Sequence, residues 1–464
     1  MYNKITHKTY NRLCDIAGKD AVLIEPADIS KYSKDETLKA FFPPDAVAFP
    51  STKQMVMDIM KLANTDNFPV VPRGGGTSVT GGPLAVFGGL VLSFERFNKI
   101  EEIDTVNRMA VVKPGTINSV LQKEAAQLNL FYPINPASMD SCTLAGNVAE
   151  ATGGANTVRY GTTRNYITGL KAVTGDAQIW KAGGKLMKNS TDHVLIQLMC
   201  GSEGTLSVFT ELTIRLLPKP KYSAWIISPF DKIEKISFTA AKIFESNCNP
   251  TMVELMDSST LQLCARYLNM DIQYSSSHQL LVRFDTEDKE EIERTTIKTS
   301  QICIDNGAND VLIADTKSQQ DKIWKIRSSM HEALSNMTNR ICEEDIVVPI
   351  GKINDLISKI YSISDDYDLR VMLFGHLGDG NLHINFSSET DQEKIISPEM
   401  IDSLRIAVFS AAVSMGGNLS GEHGIGVSKI KYFKKFVDPV YFKLLHDIKK
   451  DFDPLNILNP GKII

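Results

Sequence analysis

The chain of 464 residues has no excess of charge of either sign: 50 Lys and Arg stand against 55 Asp and Glu, a formal net charge of -5 at pH 7. A surface that neutralises a phosphate backbone needs a basic excess or a basic run. Neither is present, which argues against nucleic acid as a partner. Long apolar runs are missing too. Residues 84–94 and 406–415, the more apolar stretches, fall well short of the roughly 18 residues a membrane-spanning helix needs, so no transmembrane segment is expected. Residues 1–15 are polar and lack the apolar core of a secretory signal, so the expected location is the cytoplasm, or the membrane periphery through a partner. The seven cysteines are scattered and odd in number, with no C-x-x-C pair. A disulfide framework, a cysteine zinc site and an iron–sulfur cluster of the chain's own are therefore unsupported.

Two nucleotide signatures are absent as well. A G-x-G-x-x-G reading that starts at Gly74 fails at Val79, and G-x-x-x-x-G-K-[ST] occurs nowhere, so neither a dinucleotide fingerprint nor a P-loop is supported. Glycine itself is plentiful and uneven. Of the 30 glycines, half gather at Gly74-Gly75-Gly76, Gly81-Gly82, Gly153-Gly154, Gly375-Gly378-Gly380 and Gly416-Gly417-Gly421-Gly424-Gly426. Because glycine weakens helices and strands, such gathering marks backbone that turns tightly or comes close to a ligand.

The length suits two or three domains. Val47-Ala48-Phe49 reads as a strand, Ser51 with Gln54 as a capping box, and Met55, Ile59, Leu62 and Ala63 as the stripe of a helix. Val70-Val71, Leu90-Val91-Leu92 and Ala110-Val111-Val112 read as strands, and Val120, Leu121, Ala125 and Leu128 as a second helix, an α+β or α/β pattern. Leu217-Pro218-Lys219-Pro220-Lys221 punctuates the chain as a domain boundary would. Beyond it strands mix with amphipathic helices, including a charged one over 288–304.

Pro72-Arg73-Gly74-Gly75-Gly76-Thr77-Ser78 follows a strand and offers backbone N–H groups with two hydroxyls, chemistry that suits a pyrophosphate. A tight turn without a ligand would use the same glycines. Asn135-Pro136-Ala137-Ser138, Thr143-Leu144-Ala145-Gly146-Asn147, Gly153-Gly154 and Tyr160-Gly161 form a stretch of small and hydroxylated residues able to pack along an extended cofactor. Gly201-Ser202-Glu203-Gly204-Thr205-Leu206 is a further glycine turn, entering a strand over 212–216.

Gly375-His376-Leu377-Gly378-Asp379-Gly380-Asn381-Leu382-His383-Ile384-Asn385 reads as a hairpin, since Asp-Gly is a favoured two-residue turn. With Asp379 and Gly380 as the loop, His376 faces His383 across the strands, with Cβ atoms roughly 4.5–5.5 Å apart, close enough for two imidazoles to reach one metal ion. In that register Asn385 opposes Phe374 on the same face. Ser420-Gly421-Glu422-His423-Gly424 adds a carboxylate and a third imidazole within a glycine-rich turn.

On the motifs at 72–78, 135–161, 201–206, 375–385, 420–426 and 459–462, the chain resembles flavin-dependent enzymes of the vanillyl-alcohol oxidase type. Within them it is similar to the D-2-hydroxyacid dehydrogenases, including D-lactate dehydrogenases, and to the FAD subunit of glycolate oxidase. The resemblance spans nearly the whole chain. It implies an α+β fold with a two-lobed FAD-binding domain over 1–219 (lobes about 1–98 and 99–219). A substrate cap built on an antiparallel sheet would cover 220–424, and a C-terminal segment over 425–464 would return to the FAD domain. It implies FAD held by Arg73, Gly74, Gly75, Gly76, Thr77 and Ser78, by Pro136, Ser138, Thr143, Gly146, Asn147, Gly153, Gly154, Tyr160 and Gly161, and by Glu203, Gly204 and Asn459. The first loop has no histidine, so the FAD is expected to be noncovalent. Where relatives read Gly-Tyr-Asp, this chain has Asp192-His193-Val194, and an exposed loop histidine is the simpler reading.

The resemblance further implies one divalent metal on His376, His383 and Glu422, zinc first with manganese or iron as alternatives. His423 would be the base, Arg327 the grip on the substrate carboxylate, and Asn385 a third catalytic candidate. An imidazole titrates near neutrality, which suits a base, and a guanidinium offers a bidentate fork. Trp324-Lys325-Ile326-Arg327 is read as lying near the start of a helix. The expected reaction is oxidation of a D-2-hydroxyacid to the 2-oxoacid by hydride transfer to flavin N5. The acidic run Glu343-Glu344-Asp345, where 2-hydroxyglutarate enzymes tend to carry a basic residue, favours D-lactate or glycolate. Electrons would leave to an electron-transferring flavoprotein, an iron–sulfur subunit or a quinone-linked protein. The alternatives are a non-redox FAD-dependent transferase of the same superfamily, a D-2-hydroxyglutarate dehydrogenase, a mononuclear iron oxygenase, a flavin-binding scaffold subunit and a non-catalytic binding module.

Overall fold

The computed structural model describes residues 1–337, 340–388 and 397–463, apart from the side chains of His193 and Arg340. Near the N-terminus a four-stranded sheet runs in the order Val22–Leu23, Ala46–Ala48, Leu90–Ser93, Val70–Arg73, with its last three strands parallel. Their continuous apolar runs reflect burial on both faces. Helix Lys53–Asp66 covers this sheet with Val56, Ile59, Met60, Leu62 and Ala63. Its cap is Thr52, which accepts the Met55 N–H, rather than Ser51; Thr52 is the residue with extended backbone and a hydroxyl aimed at the first turn.

A five-stranded antiparallel sheet follows, in the order Ile100–Asp104, Met109–Val112, Ser207–Arg215, Ile167–Thr174, Ile179–Gly183. The strand expected over 212–216 thus begins earlier, at Ser207. His193 opens a short helix, His193–Met199; its side chain, and with it the exposed-histidine expectation, lies outside the described residues.

From Tyr222 the chain builds a seven-stranded antiparallel sheet in the order Leu312–Ala314, Tyr222–Phe230, His278–Thr286, Met252–Met256, Arg370–His376, Asn381–Ser387, Arg340–Val347. Side chains alternate between its faces. One face, with Val253, Leu255, Val282, Leu373 and Ile384, packs under helices Ile233–Glu245, Lys289–Asp305, Ile353–Asp366 and Pro398–Ser414. The other turns Met252, Met256, Met372 and Phe374 toward Ala155 and the helices around Leu261 and Met330. That second face carries the polar residues described below.

After helices Ile430–Phe436 and Pro439–Phe452 the chain returns to the first sheet, where Leu458 bridges Val70 in parallel. No helix among the described residues is long and apolar enough to cross a membrane.

Candidate active site

The glycine loop after strand Val70–Arg73 presses against residues 141–143. A Cβ on Gly74 would lie 2.2 Å from Thr143 Oγ1, and one on Gly75 would lie 2.1 Å from the Ser141 carbonyl oxygen, so the approach requires glycine. Thr143 in turn caps helix Leu144–Glu150 by accepting the Gly146 N–H. Gly75→Ala should force this contact apart at about 1–3 kcal/mol, the usual scale of overpacking. The check is flavin retention, measured as visible absorbance per unit protein after gel filtration.

Together these loops line a cavity of about 490 Å³. Residues 73–78, Pro136, Ser138, Thr143, Gly146, Asn147, Gly154, Glu203 and Gly204 are on its wall, and so are Arg327, His376, His383, Glu422 and His423. Four of the FAD candidates stand back from it. Gly153 packs toward Thr157 and Glu422, Tyr160 accepts the Tyr166 hydroxyl, Gly161 turns against Asn165, and Asn459 donates to the Gly82 and Glu203 carbonyls. Glu203 spends both carboxylate oxygens on the Ile425 and Gly426 N–H groups, at 2.7 Å each, which ties the His423 loop to the turn over 201–206. Arg73 donates to the Lys34 carbonyl with its guanidinium under Gly76.

Glu150, also on the wall, is pushed up to about 8 by burial and by the nearby Glu203 charge. Below its ordinary 4.5 the carboxyl is neutral whether folded or unfolded; between 4.5 and about 8 only the unfolded chain ionises, so stability falls as pH rises through that window. Glu150→Gln should flatten this decline in denaturant midpoints of the flavin-free protein measured across the same range.

The second half of the site lies on the polar face of the seven-stranded sheet. His376 pairs with Asn381 and Phe374 with His383, not His376 with His383 as the Asp-Gly turn suggests. The turn has four residues, because Gly378 donates to the Val253 carbonyl and Gly380 accepts the Val348 N–H, contacts that a two-residue loop could not make. A Cβ at Gly380, where φ is +88°, would sit 2.0 Å from the Val348 carbonyl oxygen. The register moves by two, so both histidines keep the same face, with ring centroids 5.4 Å apart. Asn385 opposes Met372 instead of Phe374, one row farther along, fully buried and off the cavity wall. Arg327 stands at the end, not the start, of helix Lys317–Ser328.

His376 Nε2 and His383 Nε2 lie 3.3 and 3.5 Å from Glu422 Oε1. His383 is pushed down to about 3 by burial and by the His423 charge, which leaves it neutral. Glu422 falls to about 2, because its hydrogen bond and attraction to His376 outweigh burial. A neutral imidazole and a carboxylate are the forms that ligate metal. Burial opposes it, but Glu254 and Glu422 hold His376 well above the ordinary imidazole range, so this ring would release its Nε2 proton to an incoming ion. His383 Nδ1 is buried without a hydrogen-bond partner. Asp345, His383 and His423 form a second group of converging donors, but the Asp345 carboxylate is already engaged. It accepts from Asn381 Nδ2 at 2.5 Å, Ser420 Oγ at 2.8 Å, and the N–H groups of Gly421, Glu422 and His423 at 3.0, 3.1 and 3.0 Å. Although burial opposes it, the charges of His423 and Lys429 hold Asp345 well below the usual carboxylate range.

Asp345 and Glu254 were not among the sequence candidates. Each lies directly across a strand from a site histidine, Asp345 from His383 and Glu254 from His376. An acid within a strand on either side of the hairpin was the available signal.

The glycine cradle and the polar sheet face map onto two domains of known type. Residues 44–183 match an FAD binding domain, and residues 219–463 match the C-terminal domain of FAD linked oxidases. The chain belongs to the FAD-linked oxidases. It is 32% identical to a D-lactate dehydrogenase of Anaerostipes hadrus, over 100% of this chain and 98% of that one. To the glycolate oxidase subunit GlcD of Bacillus subtilis it is 33% identical, over 99% and 97%. Among solved structures, p-cresol methylhydroxylase with substrate bound superposes at a TM-score of 0.78 with 16% identity, covering 98% of this chain and 96% of that one. This FAD-linked oxidase therefore has the α+β fold of the vanillyl-alcohol oxidase type, and it is an oxidoreductase. An FAD-binding domain counts against the reading as a mononuclear iron oxygenase, and flavin bound in the purified protein would dispose of it.

Proposed function

We propose that this oxidase converts a D-2-hydroxyacid, D-lactate or glycolate in the first instance, to the 2-oxoacid, with one divalent ion held by His376, His383 and Glu422 beside the FAD. One observation carries the reading: two imidazole Nε2 atoms and a carboxylate converge on the same cavity wall as an arginine and a further imidazole, facing the glycine loops. Two imidazoles and a carboxylate suit zinc, and also manganese or iron. When bound, FAD supplies a two-electron acceptor and the divalent ion a Lewis acid for the substrate's C2 oxygen.

The protein's own groups supply the rest. Arg327 is anchored through Nε to Glu254 at 2.6 Å, which leaves its terminal nitrogens to grip a carboxylate. His423 takes the C2 hydroxyl proton at Nε2, and Asp345, 3.8 Å from Nδ1, steadies the imidazolium that results. Glu332 and Glu343 on the same wall set like charge against a second substrate carboxylate, which supports a monocarboxylate over 2-hydroxyglutarate. The loop over 72–83 has no histidine for a flavin bond, so the FAD is noncovalent. All seven cysteines are free, and none joins a group of three or more converging ligands among the described residues. Electrons accordingly pass to a partner: an electron-transferring flavoprotein, an iron–sulfur subunit or a quinone-linked protein.

The test is anaerobic mixing of the purified flavoprotein with D- and L-2-hydroxyacids. D-lactate or glycolate should bleach the flavin, a chelator should abolish bleaching, and zinc or manganese should restore it. Bleaching by hydroxyacid alone also separates this reading from a non-redox transferase. Full-speed bleaching after complete chelation would remove the metal from the reading, and silence with every hydroxyacid would remove the substrate class.

A further inference from the structure

Glu254 links the two halves of the proposed site. It is fully buried in strand Met252–Met256, directly across from His376. Its oxygens diverge: Oε1 meets His376 Nδ1 at 2.5 Å, and Oε2 meets Arg327 Nε at 2.6 Å. The Arg327 guanidinium lies over the Phe374 ring, 4.9 Å from its centroid, and that ring packs 4.8 Å from the ring of His383. A carboxylate is acceptor-only, so the shorter contact keeps a hydrogen on Nδ1 of His376, and Nε2, 3.3 Å from Glu422, is the nitrogen that can give up its hydrogen and turn a lone pair to an ion. By the same logic Oε2 occupies Nε of Arg327 and fixes the plane of the guanidinium.

We propose that Glu254 is a positioning residue that sets both the ligand nitrogen of His376 and the fork of Arg327, so that one buried carboxylate governs affinity for the divalent ion and for the substrate carboxylate together. This rests on the reading that His376, His383 and Glu422 hold the ion and Arg327 the substrate.

Glu254→Gln keeps the shape of the side chain but has only one acceptor oxygen. With that oxygen on the guanidinium, the amide NH2 faces His376, which must accept at Nδ1 and carry its hydrogen on Nε2. Zinc affinity of the metal-free flavoprotein, measured by competition with a chromophoric chelator, should then fall about 10–100-fold, with FAD still bound. Arg327→Gln, by contrast, should leave zinc affinity unchanged and weaken pyruvate binding, read from the flavin spectrum, roughly tenfold or more. If Glu254→Gln holds zinc as tightly as the parent while His383→Ala abolishes binding, the proposal is wrong and the metal reading stands. If the parent itself binds no zinc, the metal reading falls and the proposal with it. Should Glu254→Gln fail to fold, isotope-labelled histidine nitrogens in the zinc-loaded parent decide the matter. A hydrogen on His376 Nδ1 is expected, and one on Nε2 overturns the proposal.

Discussion

Replacing His423 with alanine should leave FAD bound and lower the rate of flavin bleaching by substrate about 10²–10⁴-fold, the range for loss of a positioned base. The backbone at this position is held independently of the ring. Its N–H goes to Asp345 and its carbonyl accepts the Thr80 hydroxyl at 3.0 Å, contacts that alanine retains. What alanine removes is the imidazole stacked on His383 at 5.2 Å between centroids. The three proposed metal ligands are untouched, so metal content should match the parent. Stopped-flow reduction at the parental rate would end the assignment of His423 as base.

Asp345→Ala should be the most damaging change in the site to stability. Five donors lose their acceptor at once, three of them consecutive backbone N–H groups; the loss at the buried Asn381 amide costs about 1–3 kcal/mol, and at the four partly exposed donors less each because water reaches them. The turn that carries Glu422 and His423 would lose its anchor, so turnover should fall along with stability. Denaturant midpoints and single-turnover reduction measure the two effects. Asp345→Asn, which keeps the shape and one acceptor, should lie between alanine and the parent. A stable, fully active alanine variant would mean that the turn is held by its glycines alone.

Much of this site was legible because glycine and histidine carry geometric information. The cluster at Gly74–Gly76 marks backbone that turns tightly or comes close to a ligand, and in the structure it comes close to Ser141 and Thr143 of the chain itself. The hairpin was readable as a pair of histidines on one face, although its register was not. Asp-Gly favours a two-residue turn locally, but here the turn has four residues, with Gly378 donating to the Val253 carbonyl and the Gly380 carbonyl accepting from the Val348 N–H. The face survived because side chains alternate with a period of two and the register moved by two. Glu254 and Asp345 were hidden for a different reason. Glu254 is 122 positions from His376, and Asp345 is 78 from His423; which acid faces which imidazole depends on strand order, which no local pattern encodes. Arg327 sits in the last turn of its helix because the capping box that starts it, Thr316 with Gln319, lies well upstream of Trp324.

The return of Leu458 to Val70 has a consequence for biosynthesis. Asn459 reaches the Gly82 carbonyl across 377 positions of sequence, and the buried Lys462 amine reaches the Leu84 carbonyl across 378. A ribosome extrudes the glycine loop early, yet the segment that bridges to its flank emerges only after the seven-stranded sheet has been made. The contacts that brace the flank of the glycine loop through Leu458, Asn459 and Lys462 can therefore form only after translation of the whole intervening segment.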